Sequence, residues 1–255
     1  MTTTFKPFTF SEYSLSNIRY PLLAVPLYLI TIFTLQRLMK NRPPLSLRRF
    51  AAVHNIFLAA LSAAMCLGTA FQLILRIRHQ NFFSIICDRH RYAFTGKLAM
   101  WLYIFYISKY YELLDTFIIV LRKRPLNFLH VYHHCIVIPL FWMYMNTSMI
   151  IHWILVIANS FVHVLMYYYY AASTYGIKIQ WKRFITIAQI VQFVIDLTAT
   201  WPFPVLWYRE GGCRGSMKAW VFGQAVGLSF TYLFARFYVR AYKRQIRADE
   251  KAKQL

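Results

Sequence analysis

The sequence predicts an all-α integral membrane protein built on seven transmembrane helices. Two observations set it apart from a water-soluble domain: 59% of its 255 residues are hydrophobic and only 15% are charged, against about 45–50% and roughly 25% in soluble domains. A third observation is where the charge sits. Lys and Arg number 29 against 8 Asp and Glu, a net +21, yet they fall in short breaks between long apolar runs, as in polytopic membrane proteins. A nucleic-acid-binding domain would gather its basic residues on one polar face, so no nucleic-acid partner is expected. The apolar content excludes disorder, and glycines without a period exclude collagen.

A bilayer core of about 30 Å takes roughly 20 helical residues. Seven apolar stretches approach that length, near 20–36, 51–75, 98–120, 131–146, 149–172, 184–206 and 218–239. The first, second and seventh are plain apolar runs. The third carries Lys109, Glu112 and Asp115; the fourth is short and opens on histidines. The fifth holds Asn159 and His163, and the sixth has Pro202 and Pro204 near its end. Without an internal repeat or a low-complexity segment, residues 1–255 read as one domain with a short N-terminal segment and a basic C-terminal tail.

Seven spans put the termini on opposite sides. One face carries 18 Lys and Arg, seven of them in the tail, and the other carries 10. The excess marks the cytosolic side, so the C-terminus is expected in the cytosol and the N-terminus in the lumen. Cys87 and Cys213 then fall in lumenal loops, where oxidising conditions favour a disulfide; two unpaired loop thiols are the plain alternative. Cys66 and Cys135 lie within spans and are expected to be free. The chain has no CxxC and no Cys/His zinc spacing. The opening MTTTFKPFTFSEYSLSN lacks a basic region leading into an apolar core, so no removable signal peptide is expected.

Ionisable groups inside spans are costly and default to functional sites. At about 100° per residue, Lys109, Glu112 and Thr116 share one helix face with Asp115 at its edge. They suit either a structural ion-pair cluster or, for Lys109, an anionic ligand. His130, His133 and His134, at i, i+3 and i+4, fall within one arc of a helix just after the basic turn Arg122-Lys123-Arg124. Metal ligation is the competing reading of such imidazoles. Asn159, His163, Met166, Tyr167 and Tyr170 form one stripe of the fifth span, whose tyrosines also suit an interfacial belt. Thr186, Gln189, Gln192 and Asp196 share a face of the sixth, either as interhelical glue or along a ligand path.

KYYELLDT, LRKRPLNFLHVYHH, NSFVHVLMYYYY and TIAQIVQF occur in this order. Together they make the chain resemble the fatty-acid elongase (ELO) family of very-long-chain 3-ketoacyl-CoA synthases along essentially its whole length. The resemblance implies seven helices, of which the second to seventh ring a narrow substrate tunnel closed at its lumenal end. It implies an acyltransferase of the endoplasmic reticulum membrane. The reaction joins a long-chain acyl-CoA to malonyl-CoA, giving a 3-ketoacyl-CoA, CO2 and CoA, without cofactor or metal. The implied partners are membrane lipid, the ketoacyl-CoA reductase, dehydratase and enoyl-CoA reductase of the elongation cycle, and a second copy of the chain. A disulfide between the second-to-third and sixth-to-seventh loops is a further family feature.

A decarboxylating Claisen condensation needs an activated acyl group, a carbanion equivalent and a site for the enolate oxygen. Soluble ketosynthases use cysteine, but no cysteine belongs to this family's pattern. Neutral imidazole is available near pH 7 and is a competent covalent catalyst. By resemblance, His133 is the acyl acceptor and His163 its partner from the facing helix, with His130 and His134 orienting or shuttling protons. A direct ternary reaction with histidine as base is the alternative. Asn159 suits an oxyanion role, and Gln189 and Gln192 suit the same or the pantetheine amides. Lys109, Arg122 and Lys182 match basic positions that meet CoA in the family; for Arg122 and Lys182, topology alone is the simpler reading. Glu112, Asp115, Tyr167 and Tyr170 complete the expected substrate path.

The connector Arg124-Pro125-Leu126-Asn127 is shorter than in relatives acting on polyunsaturated chains, which leans toward saturated or monounsaturated substrates. Lys251 and Lys253 resemble a dilysine retrieval signal. The rival enzyme is a di-iron desaturase or hydroxylase, but His54, His79, His90 and His152 form no further histidine box. A seven-helix receptor or transporter would not explain HVYHH beside a basic turn.

Overall fold

A computed structural model of the chain describes residues 8–79, 82–89 and 94–252, without the side chains of 243–252. Lys6, His90, Arg91 and Lys253 lie outside the described residues, as do the side chains of Lys243, Arg244, Arg247 and Lys251, so the dilysine reading falls outside them too. Among the described residues, nine α-helices form seven rods. The first is α1 (Arg19–Met39) and the second α2 (Arg48–His79). The third is α3 (Gly96–Tyr111) with α4 (Leu114–Leu121), and the fourth is α5 (Phe128–Asn146). The fifth is α6 (Trp153–Thr174), the sixth α7 (Lys182–Ala199) with α8 (Pro202–Arg209), and the seventh α9 (Met217–Ala252). Among the described residues, five stretches are each long and apolar enough to cross a membrane: Arg19–Met39, Arg48–His79, Phe128–Asn146, Ile150–Thr174 and Lys182–Arg209. The chain is a multi-pass membrane protein.

Two predicted spans are broken. In the third, Glu112 N–H still bonds Ser108 O at 2.8 Å, but Leu113 N–H reaches only three residues back, to Tyr110 O at 3.3 Å. The tightened turn accompanies a Glu112 side chain drawn back onto Ser108 and Lys109. The pieces are 16 and 8 residues long, each too short to span alone. The sixth breaks at Thr200–Trp201 because Pro202 has no N–H to continue the ladder. It sits instead at the start of α8, where no donor is needed.

The rods close a ring. α2 packs on α6, α6 on α7, α7 on α9, α9 on α5, α5 on α3, and α3 back on α2. α1 stays outside, against α4 and α5, and exposes Leu22, Leu23, Leu27, Ile30 and Phe33. Close approach needs small residues in a bilayer, where apolar burial gives helices little reason to associate. Gly68 of α2 meets this need: a Cβ there would overlap the Trp101 indole of α3.

The largely apolar interior also holds polar and charged side chains. Lys109, Glu112, Thr116, His134, His163 and Gln192 are all buried. One end of the ring carries the basic α4–α5 turn. The other carries Cys87 and Cys213, bonded through their sulfurs with Cα atoms 4.9 Å apart. Cys66 and Cys135 are free. That second end is filled by the N-terminal segment: Phe8 packs edge-on to Phe94 and Phe10 to Tyr106. Trp142 Nε1 donates to Ser16 O at 2.7 Å, and Tyr106 Oη to Leu15 O at 2.8 Å.

Candidate active site

α5 begins on a cap. Asn127 Oδ1 accepts from Leu129 N–H at 3.1 Å, the bond an N-cap residue offers to the first turn. The helix therefore starts at Phe128, ahead of the predicted 131, and the three histidines fall within it. The His130 and His134 ring centroids are 4.5 Å apart, and those of His133 and His134 5.2 Å. α6 brings His163, Met166, Tyr167 and Tyr170 to the same space, and α7 brings Lys182, Thr186 and Gln189. Together they enclose an outer chamber of about 520 Å³. Arg122, Arg124 and Lys182 make its basic mouth. Lys123 points away and donates to Lys40 O at 3.1 Å.

A second, inner chamber of about 50 Å³ lies deeper. Its wall is largely apolar, with Val137, Leu140, Phe141, Phe193, Leu197 and Phe230. Gly223 and Gly227 of α9 also line it. A Cβ at Gly223 would collide with the Tyr144 hydroxyl, and one at Gly227 would come within 2.9 Å of Leu197. Among the described residues, His133 alone lines both chambers.

A web of hydrogen bonds fixes the polar groups around this junction. Lys109 Nζ donates to Glu112 Oε1 at 2.8 Å and to Asn159 Oδ1 at 3.2 Å. Ser108 Oγ donates to the same Glu112 oxygen at 3.0 Å, and His163 Nδ1 stands 3.9 Å from it. Asn159 Nδ2 donates to Gln192 Oε1 at 3.4 Å, and Gln192 Nε2 to Asp196 Oδ2 at 2.9 Å. The web thus runs from α3 across α6 and down α7. On the mouth side, His54 Nε2 donates to Asp115 Oδ1 at 2.6 Å and Tyr167 Oη to Asp115 Oδ2 at 2.7 Å. Thr116 Oγ1 lies 2.9 Å from both His130 Nε2 and the Tyr28 hydroxyl, so α1 reaches a site histidine from outside the ring.

The outer chamber gathers His130, His133, His134 and His163 with Glu112, Asp115, Arg122, Lys182, Tyr167, Tyr170 and Gln189. Lys109, Asn159 and Gln192 line the inner one. Lys109 is therefore buried and paired with Glu112 on the wall of the inner chamber, whereas Arg122 and Lys182 line the outer one. Sequence reasoning set aside His54, which binds Asp115, and passed over Arg124, which faces the chamber. His54 falls within the predicted span 51–75, and an ionisable residue inside a span is the signal that would have flagged it. Among the described residues no group of three His, Cys, Asp or Glu side chains is arranged to hold a metal ion.

The GNS1/SUR4 (ELO) family model matches residues 13–250. The chain is 36% identical over 238 residues to "Fatty acid elongase sre1" of Dictyostelium discoideum, covering 93% of this chain and 88% of that protein. It is 39% identical over 238 residues to "Fatty acid elongase A" of the same organism, covering 90% and 85%. It is 33% identical over 232 residues to "Very long chain fatty acid elongase 2" of Mus musculus, covering 86% and 74%.

Proposed function

This chain belongs to the GNS1/SUR4 (ELO) family, and from that premise we infer that it is a fatty-acid elongase, an acyltransferase that condenses an acyl-CoA with malonyl-CoA. The position of His133 carries the reading: it is the one described residue on the wall of both the basic outer chamber and the apolar inner one. A thioester carbonyl held there would have its CoA in the outer chamber and its acyl chain directed inward.

In the proposed reaction an imidazole nitrogen of His133 attacks the thioester carbon. A C–N bond forms, the C–S bond breaks, and the departing thiolate takes the proton that the acylated ring gives up, leaving as CoA. Malonyl-CoA then occupies the mouth and loses CO2, which leaves an electron pair on C2 as an enolate. That carbon attacks the acyl group, the C–N bond breaks, and the departing imidazolate takes up a proton that enters from solvent through His163, so His133 returns to its neutral form with 3-ketoacyl-CoA released. His163 faces this centre from α6 and relays the proton, and His130 and His134 orient the ring. Asn159, one of whose amide N–H bonds is not engaged by Gln192, suits the developing oxyanion. Lys109, balanced by Glu112, orients Asn159. The CoA phosphates fall to Arg122, Arg124 and Lys182, where Arg offers bidentate contacts and Lys a point charge. Gln189, Tyr167 and Tyr170 line the pantetheine path. The reaction draws on no cofactor, and a sheltered chamber limits hydrolysis of the acyl-imidazole.

We place the protein in the endoplasmic reticulum membrane with the basic mouth in the cytosol and the N-terminus in the lumen. The excess of Lys and Arg on the mouth side supports this, and a disulfide at the opposite end suits an oxidising lumen. The product would pass to a ketoacyl-CoA reductase, a dehydratase and an enoyl-CoA reductase.

The test is to incubate purified protein with acyl-CoA alone and weigh its peptides. The acyl mass is expected on the peptide bearing His133. With His133→Ala, both the adduct and 3-ketoacyl-CoA formation are expected to vanish while the elution volume in detergent is unchanged. Full turnover by the folded variant would reject the nucleophile role.

A further inference from the structure

The inner chamber holds polar atoms that the condensation does not use. Asp196 and His152 both line it and both are more than nine-tenths buried. Asp196 Oδ2 accepts from Gln192, but Oδ1 has no partner among the described residues. His152 Nδ1 donates to the Met149 carbonyl, which fixes the tautomer, and leaves Nε2 as an acceptor without a partner among the described residues. The Tyr144 ring stacks on His152 at 5.4 Å. Its hydroxyl lies in the notch that Gly223 leaves and makes no hydrogen bond among the described residues. Three polar groups from α5, α7 and the turn before α6 thus meet one narrow space beyond the reaction centre.

An unsubstituted hydrocarbon chain satisfies none of them. Buried polar atoms left without partners weaken binding of whatever displaces water from them. The group that fits must donate to His152 Nε2 or to Asp196 Oδ1. If Asp196 is instead protonated, the group must accept from it. A hydroxyl does both. Asp196 lies one helical turn, about 6 Å, beyond Gln192 along α7, so this group belongs on the acyl chain, past its thioester.

We propose that the inner chamber selects acyl chains that carry a hydroxyl group, held by Asp196, His152 and Tyr144. The inference rests on the elongase reading and deepens it by naming a substrate class.

The experiment measures kcat/KM with malonyl-CoA and a series of saturated acyl-CoA primers of one fixed length. One primer is unsubstituted, and the others carry a hydroxyl at successive positions from mid-chain to the terminal carbon. At least one hydroxylated primer is expected to exceed the unsubstituted one by about tenfold or more, because a site built to bond a substrate hydroxyl rejects the analogue lacking it. In Asp196→Leu that ratio is expected to fall to about one. A wild-type ratio at or below one at every position overturns the proposal whatever the variant does, and would mean that the three groups bind water. A high ratio that survives in Asp196→Leu also overturns it. Turnover of no primer at all would instead count against the elongase reading.

Discussion

Lys109 and Glu112 form an ion pair at 2.8 Å in the middle of the ring, each with only 1% of its side chain accessible. The helix that carries them ends at this pair, and the rod resumes two residues later as α4. The third rod thus breaks at the point where it turns its charges inward.

Removing one partner of this pair leaves the other charge buried and uncompensated, at about 3–5 kcal/mol. Lys109→Met alone and Glu112→Gln alone are therefore expected to be strongly destabilised, whereas the double variant recovers most of the loss. Thermal unfolding of the four proteins in one detergent measures the coupling. Additive losses would mean that the two side chains do not act as a pair.

The mouth is solvated, so its contribution is smaller and depends on salt. Lys182→Ala and Arg124→Ala are each expected to raise KM for CoA esters about fivefold, the order of 1 kcal/mol found for exposed charge pairs, with little change in kcat. Added salt should shrink the difference between wild type and variant, because exposed charges are screened. A KM that does not move in either variant would leave these residues a topological role alone.

Gly223 is where α9 lets the Tyr144 hydroxyl in. Gly223→Ala is expected to push Tyr144 into the inner chamber, cost about 1–3 kcal/mol as overpacking does, and shift the products toward shorter chains. Adding Tyr144→Phe removes the colliding oxygen and should return the product profile toward that of wild type. Chain-length profiles with a mixture of primers check both. An unchanged profile in Gly223→Ala would show that the chain does not pass this point.

Much of the site was legible in the sequence because helical spacing alone gathers residues on one face. His130, His133 and His134 share an arc at any starting point of the helix, and Asn159, His163, Tyr167 and Tyr170 share a stripe. What spacing does not carry is which faces meet. The ion pair that absorbs Lys109 lies on its own helix and was foreseeable. The bond from His54 to Asp115 joins α2 to α4, on neighbouring rods, and nothing local to either residue announces that they pair. The two helix breaks follow the same division. Pro202 marks the second in the sequence, whereas the first at Glu112 depends on where a side chain finds its partners. Gly68 and Gly223 read as ordinary membrane-helix glycines until Trp101 and Tyr144 are seen against them.

The disulfide joins the loop between the second and third rods to the loop between the sixth and seventh, across 126 residues of sequence. It acts as a clasp across one rim of a barrel. Staves clasped at one rim part there less freely than at the other, so widening that admits a long chain to the narrow inner space is expected to begin at the basic rim and travel inward. Reduction would remove that restraint and let both rims breathe.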